Sequence, residues 1–140
     1  MAGLITANGM LYGTTYHGGS YGNSGGEGTV FRMGHAGTDE RIVYNFGGSV
    51  GAQPSSSVLA VNGKLYGTTN PGFSNGTAYD MTLVGKNARL LHQFTASPDG
   101  FDPNALTYFN RVLYGTTQNG GKYGGSHGDG TIFKLTLPSH

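Results

Sequence analysis

Pairs of short apolar runs, each split by a polar two-residue step, recur three times along this chain, and nowhere do apolar residues return at helical spacing. "LITANGMLYGTT" (4–15) and "VLAVNGKLYGTT" (58–69) each turn on Asn-Gly. That dipeptide suits a type I′ hairpin, which needs positive φ at both central residues. "ALTYFNRVLYGTT" (105–117) has Asn110-Arg111 there, a weaker turn. A third run follows each hairpin: "GTVFRM" from 28, "GTAYDMTL" from 76 and "GTIFKLTL" from 130. A fourth, "ERIVYNF" ending at Phe46 and "ARLLHQF" ending at Phe94, follows in the first two copies only. The pattern predicts three four-stranded antiparallel meanders, the third lacking its last strand: eleven strands and no helix.

The repeat is measurable. Leu11 to Leu65 spans 54 residues and Leu65 to Leu113 spans 48. From "GT" to the aromatic closing the fourth run is 18 residues in both copies, whereas "LYGTT" to "GT" varies between 17 and 11. The six-residue difference therefore sits in one loop, which belongs on the surface. Four-stranded units repeating at 40–50 residues are the signature of propeller blades. Blades bury both faces on their neighbours, which accounts for adjacent apolar pairs such as Leu65-Tyr66 and Leu90-Leu91. "LYGTT" then reads as an inner blade strand, its Leu and Tyr packed between blades and its Gly at a close backbone approach. The units fall at about 1–48, 49–97 and 98–140 of one domain. The competing fold is a β-trefoil, also three four-stranded repeats, but the two-residue hairpins and equal strands suit a meander better.

The order Pro, Asn-Gly, "LYGTT", Gly-Gly, "GTVF" and an aromatic outer strand resembles the GloVer-type tandem repeat of bacterial anchored surface proteins, and the layout is similar to a kelch-like blade. The resemblance spans nearly the whole chain. It implies a β-propeller of repeats, an exported or cell-surface setting and no catalytic residues to carry over.

Composition narrows the function. Net charge is +1 with only 11% charged residues, and no basic cluster offers a footprint for nucleic acid. Cys is absent, which removes disulfides and thiolate chemistry. No run is long or apolar enough for a membrane span. Gly, at 27 of 140, lacks the every-third-residue period of collagen and belongs in turns. No cofactor is expected. Three blades cannot close a ring that needs at least four, so two hydrophobic faces would stay open. A two-fold homodimer with six blades is the expected partner arrangement.

Candidate chemistry gathers in two twin loops, "YHGGSYGNSGGEGT" (16–29) and "QNGGKYGGSHGDGT" (118–131). Tyr16, His17, Tyr21 and Glu27 in the first, and Tyr123, His127 and Asp129 in the second, offer rings to stack on a carbohydrate or protein ligand and polar groups to hydrogen-bond it. The bland reading is that these are turns, with Tyr21 and Tyr123 covering a blade edge. The shorter middle loop has Phe73 instead. "SPDGFDP" (97–103), with Asp99 and Asp102, reads as a turn. No two His sit at metal-ligand spacing, and His92 in an apolar strand reads as a hydrogen-bonded core residue. The function expected is a non-catalytic binding or structural module. The alternative is a small hydrolase or lyase using Glu27, Asp129 and the loop His residues.

Overall fold

The computed structural model describes residues 2–21, 25–70, 75–123 and 127–137. Phe73 and His140 lie outside the described residues. The described chain is all β. The first sheet is β1 (Ile5–Ala7), β2 (Met10–Thr15), β3 (Thr29–Met33) and β4 (Arg41–Asn45). The second is β5 (Leu59–Val61), β6 (Lys64–Thr69), β7 (Thr77–Thr82) and β8 (Arg89–Gln93). The third holds β9 (Phe101–Pro103), β10 (Thr107–Phe109), β11 (Val112–Asn119) and β12 (Thr131–Thr136). The first two sheets are meanders in sequence order, and every pair is antiparallel.

The hairpins form where the turn chemistry placed them. Asn8-Gly9 and Asn62-Gly63 have positive φ at both positions, and so do Asn110 (48°) and Arg111 (67°). Bulges interrupt the β3–β4 and β7–β8 ladders at equivalent places, Val30/Phe31 and Ala78/Tyr79.

Twelve strands stand where eleven were expected. The addition is β9, which pairs with the far end of β11 through Pro103↔Thr117, along the same edge that β10 occupies. The fourth, outer strand of the third sheet is missing among the described residues, as the sequence pattern implied. "LYGTT" is the second strand of each meander, an inner strand flanked on both sides. Between sheets, β5 approaches both β1 and β10, and β6 approaches β9. A trefoil would draw the three repeats into one barrel; here each sheet pairs only within its own repeat, and none closes.

Two apolar cores separate three sheets. Tyr12, Val30, Phe46, Leu65, Tyr79 and Met81 fill the first, between sheets one and two. Tyr66, Leu106 and Leu113, with Leu91, Phe133 and Leu135, fill the second, between sheets two and three. Leu65 and Leu113 thus face the preceding sheet and Tyr12 and Tyr66 face the following one, because neighbouring strand residues point to opposite faces. Only the middle sheet is covered on both sides, and five of the six residues in β6, and five of the six in β7, are buried.

Candidate functional site

The Gly-rich loops and the linkers gather at one end of the sheets. Registers Thr15↔Thr29↔Asn45 and Thr69↔Thr77↔Gln93 put the Gly-rich loops and the linkers between sheets at the same end, opposite the Asn-Gly hairpins.

Hydroxyl groups build that end. The second Thr of each "LYGTT" pairs with the Thr of the following "GT": Thr15–Thr29, Thr69–Thr77 and Thr117–Thr131, each with Oγ1···Oγ1 at 2.8 Å. Thr77 then donates to the Val50 carbonyl (2.6 Å) and Thr131 to the Asp99 carbonyl (3.0 Å). The first Thr reaches the linker as well: Thr14 donates to Ser56 O and Thr68 to Asn104 O. Each linker therefore runs as a seam tied to both neighbouring sheets. Gly51 (φ 115°) and Gly100 (φ 103°) lie against these Thr pairs; a Cβ on either would come within 2.4 Å of a hydroxyl. At the seam's other end, Phe46 meets Tyr79 edge-on at 5.1 Å and Phe94 meets Phe133 at 4.9 Å.

Between the two seams opens a polar groove of about 440 Å³, lined by Ser55, Ser56, Ser57, Asn70, Asp102, Asn104, Ala105 and Gln118. Asn104 Nδ2 donates to Thr116 Oγ1 and Gln118 Nε2 to Asn104 Oδ1, which orients both amides. Among the described residues the Asp102 side chain accepts no hydrogen bond, and burial pushes its carboxyl above the ordinary value. Asp102 holds positive φ (62°), as does Gln53 (57°) at the equivalent place before Pro54.

The sequence-predicted residues divide between the outer sheets. Tyr16 accepts from Asn70 Nδ2 and donates to Gln53 Oε1, both at 3.2 Å, and His17 meets the Tyr16 ring edge-on. Tyr21 is 58% exposed and lies against Gly47, and its carbonyl accepts from Glu27 N. Glu27 borders a smaller pocket of about 240 Å³ with Ser49, Asn70, Thr77 and Gln93. Tyr123 is 72% exposed with Lys122 Nζ over its ring, and the His127 carbonyl accepts from Gly120 N. Asp129 precedes β12. The second sheet stands between the loop of Glu27 and the loop of Asp129. Among the described residues no group of three His, Cys, Asp or Glu is placed to hold a metal ion.

Sequence reasoning missed the most buried charge. Asp80 is 1% exposed and takes hydrogen bonds from Arg89 Nε and Nη2 and from Lys64 Nζ. Burial would raise its carboxyl, but the Arg89 and Lys64 contacts outweigh it and hold the pKa below the ordinary value. The only signal was the acid in "GTAYDM" where its twins carry Arg32 and Lys134. His92 Nε2 donates to Asp99 Oδ2 at 2.8 Å, which ties the end of β8 to the second linker.

No helix among the described residues is long and apolar enough to cross a membrane. No curated protein matches the chain. The family model described as the Gloeobacter/Verrucomicrobia repeat matches residues 1–140. The chain belongs to the Gloeobacter/Verrucomicrobia repeat family.

Proposed function

We propose that this chain is a non-catalytic binding or structural module, a half-ring whose two open sheet faces join a second copy into six blades, with the loop end turned to a ligand. One observation carries the reading. Positions that the internal junctions bury are bare on the third sheet. Tyr12 and Tyr66 are 1% and 6% exposed, while the equivalent Tyr114 is 39% exposed. Val30 and Ala78 are both at 0%, while Ile132 is 84% exposed and Phe109 beside this face is 70% exposed. The first sheet leaves Leu4 and Ile42 more than half exposed on its opposite face. Apolar patches of this kind mark interfaces. The Tyr face of one copy's third sheet matches the Leu face of another copy's first sheet, as it does inside the chain.

At the loop end the groove around Asp102 supplies hydroxyls, amides and one carboxylate without Lys or Arg. That set suits a neutral polyhydroxylated ligand such as a carbohydrate better than an anion, and Tyr16 and the exposed Tyr21 and Tyr123 flank the same end.

Light scattering coupled to size exclusion tests the assembly. A species of twice 14.6 kDa is expected, reduced to 14.6 kDa by Ile132→Lys. A cooperative monomer for the unsubstituted chain at all concentrations overturns the ring.

A further inference from the structure

Three sheets carry the same seam-receiving parts, and among the described residues two of them are filled. A receiving sheet offers an aromatic ring above the "LYGTT" glycine and a Thr hydroxyl pair. On the second sheet Tyr79 takes the edge of Phe46, and Thr77 donates to the Val50 carbonyl. On the third, Phe133 takes Phe94, and Thr131 donates to the Asp99 carbonyl. The first sheet has the same parts in the same register. Phe31 stands over Gly13, and Thr15 pairs with Thr29 at 2.8 Å. Yet among the described residues Phe31 meets no second ring, and Thr29, though 4% exposed, reaches no carbonyl with its Oγ1. Leu4 beside Phe31, and Ile42 across the ladder from it, are 53% and 56% exposed.

The two filled seams specify the occupant. Phe46 to Pro54 and Phe94 to Pro103 both read Phe, then four or five residues, then Gly-x-x-Pro. The Phe supplies the ring edge. The carbonyl just before the Gly caps the Thr pair. The Gly is obligatory, because a side chain would strike the hydroxyls.

We propose that the open face of the first sheet is a peptide-binding site, the receiving half of a third seam, which takes a Phe-x4-5-Gly-x-x-Pro segment donated by a linker of another repeat polypeptide. The occupant adds one edge-to-face ring pair and one hydroxyl-to-carbonyl hydrogen bond, and it covers the apolar rim of Leu4, Phe31 and Ile42. This goes beyond ring closure, since a second copy's third sheet supplies the far wall of such a seam but not its linker.

The test uses a fluorescein-labelled synthetic peptide of residues 45–58, titrated with the whole chain and followed by anisotropy. Saturable binding is expected, weakened about tenfold when the peptide carries Phe46→Ala or Gly51→Val. Thr29→Val in the chain should weaken binding, while Ile132→Lys, on the face used for self-association, should leave it intact. Loss of self-association with retained peptide binding thus separates the two readings. No saturable binding, or equal binding of the wild-type and both substituted peptides, overturns the proposal whatever the behaviour of Thr29→Val. So does a well-folded Thr29→Val chain, judged by circular dichroism, that binds as tightly as the parent.

Discussion

Tyr79 carries a buried hydroxyl with no hydrogen-bond partner among the described residues, directly above Gly67, and desolvation drives its pKa well above the ordinary tyrosine value. The first and third sheets place Phe31 and Phe133 at the same position. An unmet buried hydroxyl costs about 1–3 kcal/mol. Tyr79→Phe should therefore stabilise the chain by about 1 kcal/mol, read as a rise in the urea midpoint with an unchanged slope. Arg111 is a second local cost. It sits at φ 67° in a turn whose two counterparts have Gly. Left-handed backbone costs a residue with a Cβ about 1–2 kcal/mol, so Arg111→Gly should raise stability by about 1 kcal/mol in the same assay. The strained turn was legible in the sequence, because Asn-Gly chemistry sets φ locally. The orphan hydroxyl was not, because it depends on what a ring meets across a sheet.

Among the elements, β3, β7 and β12 are near copies in sequence and differ in environment. Val30 in β3 and Ile132 in β12 occupy equivalent places, one at 0% and the other at 84% exposure. Truncating a buried branched side chain costs roughly 1–3 kcal/mol, whereas an exposed one costs under about 0.5 kcal/mol. Val30→Ala should lower the thermal midpoint by several degrees, and Ile132→Ala should barely move it in dilute monomer. Strand identity, order and hairpins followed from residues close in sequence: alternation, turn dipeptides and a constant 18-residue spacing. β9 escaped because Phe101–Pro103 has the composition of a turn, and its pairing is with Thr117 and Asn119. The role of the Thr pairs escaped for the same reason. In sequence they read as strand ends, but their partners come from the next run and from the linker.

For the whole molecule, the acid limb of stability centres on Asp80. Its folded pKa lies below the ordinary 3.8, so the stabilisation from its Arg89 and Lys64 contacts is complete above that value and is lost as pH falls through the lower folded value. Arg89→Ala leaves burial, which raises the carboxyl pKa, opposed by Lys64 alone. The side chain of Arg89 is 48% exposed, so solvent screening limits the loss to about 1–2 kcal/mol at neutral pH. Acid unfolding followed by circular dichroism should shift to higher pH in that variant. A shift to lower pH, or none, would contradict the assigned role of Asp80. Of the candidate site, the loops and their end of the molecule were legible from Gly and Tyr placement; the groove at Asp102 was not, because its walls come from two linkers about fifty residues apart.

Two seams hold three sheets together, and each is stitched to the sheets on either side. Stability in such an array is a sum of one term for each unit and one for each junction between neighbours. Three repeats have two junctions, so an appended fourth raises the junction count by half while lengthening the chain by only about a third. The middle sheet, locked on both flanks, is then the last to exchange its amide protons, and the terminal sheets fray toward it.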